Sequence, residues 1–527
     1  MDDKGMTDIN ELHVDSADRK VVLASDVKSK KVFSPMLILA LISFQATSVL
    51  YGYDDKVIGS VAAMEQFVKK YQGKNAEGAY AFSARNQTLI FSVPLVGAIF
   101  GAAFSGYLTT KFGRKWPIVG SYAFSYAGTF LQTFAPNFAA FVCGRFMNAF
   151  LISIGTTISI LYLSEVVPAR YRGPAVSASN IFNLISGVIA TVICNKTHTF
   201  ASESSFKIPL GAQAILPTIL IPLTAFVPES PLWLLMNGRA EEARASLRKL
   251  RSFDDALVDD ELHVMKQAHD SEVALTTGVS FFDLFKRKNI KRTLVAGSMY
   301  SVNQVSGIIL STTYATIFLT DLGVGSPFQL TIAASCCVLA GTMIAPLIIE
   351  NFGRRPVAIV GMSVLFVIDL IAGVLAFYAD EKNVPLAIAI LSFLFNVFWA
   401  ASFYPLSVVL PTEVPEARLR SITTSYTLAC AYTTAVLTTF SVPHLVTVGP
   451  GAAGLGAKTY LIFGGCVLVI LAVYTCFLPE TKGRTFAEIQ EMYEAKVPVT
   501  KWKSYQTSPE SKEAKIVDHL EASDVKA

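Results

Sequence analysis

The chain has 527 residues, of which 52% are hydrophobic and only 16% are charged, and its formal net charge is +4 at pH 7. Soluble domains carry about 25% charged residues, so this composition excludes an ordinary soluble domain and favours a protein surrounded by lipid. The small net charge is spread over the loops and gives no support for nucleic-acid binding.

The first half of the chain begins with a polar, mixed-charge tail at 1–32, which we predict to be disordered. The tail contains no charged-then-apolar leader, so we predict no cleaved signal peptide. A helix that crosses a bilayer needs about 20 predominantly apolar residues. Segments of this kind lie at about 34–55, 88–109, 116–135, 138–164, 174–195 and 208–227.

The second half repeats this pattern after a charged, helix-forming stretch at 228–290. Six more apolar segments lie at about 292–320, 326–349, 357–379, 384–412, 421–446 and 459–478. The chain is therefore predicted to be an all-α membrane protein with twelve spans. Its predicted parts are a tail at 1–32, an N-lobe at 33–227, linker helices at 228–290, a C-lobe at 291–478 and a second tail at 479–527.

The basic residues of the short loops lie mostly on one side of the predicted membrane. That side carries Lys111, Arg114, Lys115, Arg170, Arg172, Arg354, Arg355, Arg418 and Arg420, and the other carries Lys196, Lys207, Lys382 and Lys458. Because lysine and arginine stay cytoplasmic, we predict a multi-pass plasma-membrane protein with both termini and the linker inside. The sequons at Asn86 and Asn195 then face outside and predict glycosylation there.

Three motifs of the first half recur in the second half, in the same order and at nearly constant spacing. The pairs are Phe112-Gly-Arg-Lys115 with Phe352-Gly-Arg-Arg355, Glu165–Arg172 with Glu413–Arg420, and Pro228-Glu-Ser230 with Pro479-Glu-Thr481. Many transporters consist of two related halves with the substrate site between them. The repeat therefore predicts two six-helix lobes and a site at their interface.

Several of these motifs are specific: PESPLWLL from Pro228, PETKGRTFAEI from Pro479, the two FGR loops, and YGYDDKVIGS from Tyr51. Through them the chain resembles the sugar porter branch of the major facilitator superfamily over residues 33–495. The fungal sugar/proton symporters, including α-glucoside and lactose-type permeases, are the most similar members. The resemblance implies a twelve-helix major-facilitator bundle with a cytoplasmic helical loop domain.

Arginines and glutamates concentrate at the predicted cytoplasmic ends of the spans. The set comprises Arg114, Arg172, Arg354, Arg420, Glu165, Glu229, Glu413 and Glu480, with Glu350 as a further member where the first half has Thr110. Partly desolvated arginine–carboxylate pairs are strong and geometrically exacting. We predict that these pairs connect the two lobes and hold the cytoplasmic side shut as gating salt bridges. The alternative is that the charges only set the topology.

Asp54 and Arg145 are ionisable residues within apolar spans, where such groups are costly and usually mark a transport pathway. The resemblance implies that they form the proton-coupling pair of a symporter. A nearby arginine favours the charged carboxylate, so separating the pair would load or release a proton. The alternative is a static ion pair. For Asp369, in the ninth span, we predict a polar packing contact rather than a role in transport.

The resemblance also implies a set of sugar contacts, which this chain matches in part. The corresponding residues are Asn180, Asn303, Gln304, Trp399 and Tyr432. Three further family contacts, an asparagine, a tryptophan and a glutamine, are replaced by Ile309, Val408 and Ala431. We therefore predict that glucose is a poor substrate and that a larger or less hydroxylated solute is preferred.

The predicted function is secondary active transport of a sugar or sugar-like solute, coupled to protons, by a protein that is not an enzyme. Alternatives are an uncoupled facilitator, a carrier of a non-sugar polyhydroxylated metabolite, and a transporter-like nutrient sensor. The seven cysteines lie in or beside apolar segments without metal-ligand spacing, so we predict no metal site. The predicted partners are the solute, a proton and the lipid bilayer; no cofactor, nucleic acid or obligate protein partner is predicted.

Overall fold

The computed structural model describes residues 34–74, 80–251, 255–276, 278–323, 325–448 and 451–508. The predicted disorder of 1–32 falls outside these residues. The described residues form helices joined by loops, with no strand among them. The predicted all-α membrane fold with two six-helix lobes is confirmed. We call the end of the bundle at Pro35 and Phe477 the tail end, and the opposite end the far end.

The N-lobe contains the first six spans. They are Pro35–Val61, Ala84–Phe112, Lys115–Phe134, Phe138–Val166, Ala169–Thr197, and a sixth span in which Ser204–Gly211 continues through Ala212–Ala214 into Ile215–Phe226. Ser34 caps the first span by accepting a hydrogen bond from the Leu37 amide at 3.0 Å. A serine cap satisfies an otherwise unpaired amide, and Pro35 suits the first turn because it has no amide hydrogen to lose.

The C-lobe contains the other six spans. They are a broken seventh span (Ile290–Val305, Ile308–Ser311 and Ala315–Asp321), Pro327–Phe352, Arg354–Leu375, Val384–Glu413, Arg420–Val446 and Thr459–Phe477. Within the described residues, nine helical segments are long and apolar enough to cross a membrane by composition alone. The third, seventh and eleventh spans fall below that limit, and they complete the bundle of twelve.

The break in the seventh span was not predicted, since 292–320 reads as one apolar segment. Gly307 adopts φ +86°, a left-handed conformation that favours glycine. A Cβ there would also lie only 3.1 Å from Cβ of Phe463. The broken backbone between Ser311 and Ala315 lies beside the cavity described below, and Thr312 and Thr313 line that cavity. Irregular backbone at membrane depth is tolerated where it lines such a cavity.

The linker between the lobes is helical, as predicted. Its segments are Pro231–Met236, Ala240–Leu250, Asp255–Thr276 and the short turn Phe281–Phe285. Leu234, Ala243, Leu247 and Val258 form its own small apolar core. The linker is joined to the N-lobe because the Ser34 hydroxyl donates to the Leu250 carbonyl at 2.8 Å.

The segment after the twelfth span is more ordered than a simple tail. Phe486–Glu494 is a helix that begins with a capping box of Thr485 and Glu488. Trp502 is buried, and Arg484 donates to the carbonyl of Trp502 at 2.8 Å. The segment also contacts the start of the C-lobe, since Lys288 donates to Glu494; this hydrogen bond lowers the pKa of the Glu494 carboxyl.

The buried apolar residues are distributed differently at the two ends of the bundle. At the far end one core includes residues of both lobes, such as Val57 and Tyr314. Towards the tail end each lobe has its own core, around Tyr162 in the N-lobe and Phe403 in the C-lobe. The lobes are therefore packed together at the far end and separate towards the tail end.

Candidate functional site

The predicted charges at the tail end of the N-lobe form one compact cluster. Arg114, after the second span, donates from Nη2 to Glu165 of the fourth span at 2.6 Å and from Nε at 3.0 Å. Glu229, after the sixth span, accepts from the backbone amides of Arg114 and Lys115 at 2.9 and 3.1 Å. The Ser230 hydroxyl donates to Glu165. The cluster therefore joins three loops of one lobe.

The C-lobe contains the same arrangement. Arg354 donates to Glu413 at 2.9 Å, and Glu480 accepts from the backbone amides of Arg354 and Arg355 at 3.0 and 3.1 Å. The Thr481 hydroxyl donates to Glu413 in the place of Ser230. We call the two sets the N-cluster (Arg114, Glu165, Glu229, Ser230) and the C-cluster (Arg354, Glu413, Glu480, Thr481).

The glycine of each FGR motif is required by these clusters. Gly113 and Gly353 have φ of +86° and +93°. The carboxylates of Glu229 and Glu480 occupy the space that a side chain would fill; at Gly353 a Cβ would lie 2.7 Å from Oε2 of Glu480. The repeated glycine thus supplies both the left-handed turn and the room for an acid beside it.

In this conformation Arg114 and Arg354 each pair with a glutamate of their own lobe, so neither of these two ion pairs connects the lobes. The reason is topological: the loops that carry the repeated motifs lie side by side at the tail end of their own lobe. Arg172 and Glu350 are exposed, and Arg420 is half-buried at the start of the eleventh span. A role of these residues in gating stays a prediction.

Asp54 and Arg145 are in contact, which the predicted pairing of the two residues requires. Arg145 donates from Nη1 to Asp54 at 2.6 Å, and the two residues are only 3% and 6% exposed. Asn148, one turn from Arg145, donates to the same oxygen at 2.9 Å. A buried ion pair needs such additional donors, because the lost hydration of both charges otherwise exceeds their attraction.

The pair is part of a larger polar network that was not predicted. Gln213 of the sixth span accepts from Asn148 at 2.9 Å and from Gln132 of the third span at 2.7 Å. Both glutamines are buried. The signal in the sequence is a polar side chain within an apolar span on each of four neighbouring helices, but their common depth becomes apparent only in the bundle.

A cavity of about 320 Å³ lies between the lobes. Volumes of this order are typical of sites for small molecules. Four of the five predicted sugar contacts line it: Asn180, Asn303, Gln304 and Trp399. Tyr432 is not among the lining residues; its hydroxyl instead interacts with Ser153 of the N-lobe.

The cavity amides differ in how they are used. Asn303 accepts from Trp399 Nε1 at 2.9 Å and donates to Ser407 at 2.7 Å, so its amide is engaged within the C-lobe. The side-chain amides of Asn180 and Gln304 take part in no hydrogen bond identified between described residues. These two amides, one from each lobe, are therefore available to a solute.

Further lining residues were missed. They are Tyr51, Asp55, Lys56, Tyr300 and Tyr404, and Asn183, one turn from Asn180, lines the cavity as well. Asp55 and Lys56 form an ion pair at 3.2 Å, and 42% of the Asp55 side chain is exposed. Successive residues of a helix point about 100° apart, which is why Asp54 faces the N-lobe interior while Asp55 faces the cavity. The adjacent acids of the DDK sequence were the available signal.

The three positions at which apolar residues replace family contacts are not equivalent. Ile309 lines the cavity. Val408 is 39% exposed and Ala431 is buried, and neither contributes to the cavity wall. In this conformation the replacements at Val408 and Ala431 therefore leave the lining of the cavity unchanged, whereas the replacement at Ile309 affects it directly.

The two sequons lie at the ends of spans. Asn86 is in the first turn of the second span and donates to Gln72 at 2.9 Å, and Asn195 is in the last turn of the fifth span. The threonines of both sequons, Thr88 and Thr197, are buried. Glycosylation at Asn86 and Asn195 stays a prediction.

The cavity is closed at the far end by contacts between the lobes. Ser60 of the first span and Thr316 of the seventh are hydrogen-bonded at 3.2 Å. The rings of Phe91 and Tyr314 lie 4.4 Å apart, and Thr88 contacts the His444 ring at 3.4 Å. A solute in the cavity is thereby separated from the far side.

Comparison with known proteins agrees with this architecture. The sequence profile of the family described as "Sugar (and other) transporter" matches residues 40–493. The general alpha-glucoside permease of Saccharomyces cerevisiae is 29% identical over 487 residues, which cover 90% of this chain and 78% of that protein. The major facilitator-type transporter ecdD of Aspergillus rugulosus is 27% identical over 479 residues, 88% of each protein.

A solved structure shows the same fold. The inward open conformation of the xylose transporter XylE from E. coli has a TM-score of 0.70 at 19% identity, covering 86% of this chain and 99% of that one. Its likeness concerns the arrangement of the helices alone. Since the family profile matches most of the residues, the chain belongs to the sugar (and other) transporter family, a group of major facilitators.

Proposed function

We propose that the protein carries a sugar or sugar-like solute across the plasma membrane by alternating access, together with a proton. The observation that carries the proposal is the cavity between the lobes, where free side-chain amides and aromatic rings converge. Amides hydrogen-bond hydroxyl groups, and rings such as Trp399 and Tyr404 offer surfaces for the apolar face of a sugar. Membership of the sugar transporter family supports the same solute class.

Proton coupling is assigned to Asp54 and Arg145. Their ion pair is buried beside the helix face that lines the cavity, since Tyr51 and Asp55 lie on the same span. When the lobes move, a change in the distance between the pair changes the free energy of protonating Asp54. The termini lie in the cytoplasm in this proposal, so the far-end contacts close the outer side.

Transport is tested by uptake of labelled sugars into cells that lack their own transporters, with and without a proton uncoupler. We expect uphill accumulation of a disaccharide or glycoside that the uncoupler abolishes. We also expect glucose to compete weakly. Accumulation that ignores the uncoupler would leave the facilitator as the correct function, and strong competition by glucose would contradict the proposed solute size.

The coupling role is tested by Asp54→Asn, which preserves shape and removes the titrating group. We expect the variant to lose uphill accumulation and to retain exchange of labelled for unlabelled solute across the membrane. The matched control is Asp380→Asn, the same change at an exposed acid in a loop, which should leave both measurements unchanged. Continued accumulation by Asp54→Asn would show that the proton binds elsewhere.

A further inference from the structure

The C-lobe contains a buried acid whose environment differs from that of Asp54. Asp369 in the ninth span is 0% exposed, and both of its carboxylate oxygens lack a hydrogen-bond partner. No ion pair to Asp369 is found among the described residues. Burial of an ionised carboxylate without a partner costs far more than burial of the neutral acid, so these surroundings favour the neutral form.

The position of Asp369 follows from close helix contacts. A Cβ on Gly464 of the twelfth span would lie 3.2 Å from Cβ of Asp369, so these backbones approach closely. The ninth and tenth spans run antiparallel, and Gly361 contacts the Ser402 side chain. Counting forward from Gly361 to Asp369 and the same number of residues back from Ser402 places Asp369 level with the turn from Ser392 to Asn396.

A chain of hydroxyl groups leads from this region to the cavity. The Tyr460 hydroxyl is hydrogen-bonded to Ser392 at 2.9 Å and to Ser311 at 3.1 Å. Ser311 lines the cavity, and Tyr460 lies one helical turn before Gly464, on the face of the twelfth span that approaches Asp369. Asn396 donates to the Ser311 carbonyl at 3.3 Å, while its own Oδ1 is a buried acceptor without a partner. The turn thus offers an acceptor at the depth of the acid.

Among the residues that the structure describes, no cation is paired with Asp369. On the twelfth span the ionisable side chains nearest in sequence to Gly464 are the phenol of Tyr460 and the thiol of Cys466. The turn of the tenth span level with Asp369 has no ionisable side chain, and the eighth span contributes only the thiols of Cys336 and Cys337 and, at the tail end, Glu350. Because the described surroundings provide no cation for this carboxylate, a proton is the partner that can neutralise it.

We propose that Asp369 is a proton-binding site of the C-lobe, connected to the central cavity through Tyr460 and Ser311. On release, the carboxylic O–H bond breaks and the proton moves along the hydroxyl groups to water in the cavity, leaving a carboxylate. No electron transfer is involved. This inference rests on the proposed transport function for its physiological role, because a second titrating site would add a proton to the transport cycle.

The protonation itself is tested without any solute. Infrared spectroscopy of the purified protein in lipid, transferred from H₂O to D₂O near neutral pH, reports the C=O stretch of protonated carboxyls. We expect a band in the wild type that shifts in D₂O and that Asp369→Asn removes, while Asp54→Asn retains it. If the Asp369→Asn spectrum equals that of the wild type, Asp369 is ionised and the proposal fails.

The path is tested by Tyr460→Phe, which keeps the ring and removes the hydroxyl. We expect the band to remain and its fast exchange with D₂O to be lost; exchange as fast as in the wild type would overturn the path. This variant also decides the proposal if Asp369→Asn does not fold.

Where solute transport is measurable, Asp369→Asn should lower the number of protons transported per solute, which is obtained from the solute gradient at which transport reverses. An unchanged number would reduce Asp369 to a packing group, whereas absence of any transport contradicts only the proposed function.

Discussion

The two lobes have the same framework at the tail end and different chemistry within the membrane. The N-cluster and the C-cluster match contact for contact: an arginine to the acid of the fourth or tenth span, and a second acid to two backbone amides. Within the membrane, Asp54 has Arg145 and Asn148 as partners, whereas no cation or hydrogen bond to Asp369 is found in the described part of the chain.

The difference shows which positions the repeat constrains. A cluster joins three loops through charge-assisted hydrogen bonds, so a change at one residue leaves a partner unpaired. Residues that face the interior of a lobe are constrained only by that lobe's own packing. The halves can therefore share their loops and still place a charged network in one lobe and a buried acid without such a network in the other.

The largest loss of stability is expected when Asp54 of the N-lobe loses its cation and so comes to resemble Asp369 of the C-lobe. Arg145→Met removes the cation and leaves the buried Asp54 carboxylate with Asn148 as a neutral partner. We expect the free energy of unfolding to fall by about 3–5 kcal/mol, as for other buried pairs that lose one partner. Because protonation neutralises the acid, the loss should be smaller at low pH than at high pH. Thermal unfolding in lipid nanodiscs as a function of pH measures both.

The matched control is the double variant Arg145→Met with Asp54→Asn, which removes the charge of both partners. It should recover much of the lost stability and should lose the pH dependence. If Arg145→Met alone is as stable as the wild type at high pH, the lobe tolerates a carboxylate without its cation. The contrast drawn between Asp54 and Asp369 would then have no energetic basis.

A smaller effect is expected when the coupling free energy within the N-cluster is compared with that within the C-cluster. The side chains of Arg114 and Glu165 are 13% and 7% exposed, whereas those of Arg354 and Glu413 are 20% and 22% exposed. Solvent screens charges less where they are buried, so the N-cluster pair should be more strongly coupled. Double-mutant cycles with alanine should give coupling free energies within about 0.5–3 kcal/mol, the larger value belonging to the N-cluster.

The control for these cycles uses one residue from each lobe. Arg114→Ala and Arg354→Ala belong to separate clusters, so their effects on the free energy of unfolding should add within about 0.5 kcal/mol. Strong coupling between them would mean that the clusters meet in another conformation of the transport cycle. That outcome would support the predicted inter-lobe gate over the intra-lobe framework.

The sequence predicted the features that depend on length and repetition. Twelve apolar segments gave the spans, and three repeated motifs gave the lobes and the members of both clusters. The pairing within each cluster was beyond the motifs, because charge and spacing do not tell whether Arg354 reaches its own lobe or the other. Ordered structure after Leu478 was missed because its stability comes from contacts such as buried Trp502, and not from hydrophobic length.

The cavity was predicted less completely, for a reason that lies in helix geometry. The resemblance identified Asn180 and Gln304, which have counterparts in the family, but it gave no orientation for Asp55, the neighbour of Asp54. It also could not show that Asn303 is already bonded by Trp399. Which side chains of a span face the cavity depends on the rotation of that span, and uniformly apolar spans carry little information on rotation.

The smallest effect compares the walls that the two lobes contribute to the cavity. Asn180→Ala in the N-lobe and Gln304→Ala in the C-lobe each remove an amide that is free to bind solute. A neutral hydrogen bond contributes about 1–1.5 kcal/mol, so each variant should raise the solute concentration for half-maximal uptake by roughly tenfold. The maximal rate of exchange should change less.

Thr312→Val is the matched control, because Thr312 also lines the cavity but its hydroxyl already donates to the Ile308 carbonyl at 2.9 Å. A hydroxyl satisfied by the backbone has less to offer a solute, so this variant should keep the wild-type half-maximal concentration. An effect of Asn180→Ala without one of Gln304→Ala would place the solute against the N-lobe wall alone. The C-lobe would then move around a solute that it does not hold, and the two lobes would differ in binding as well as in charge.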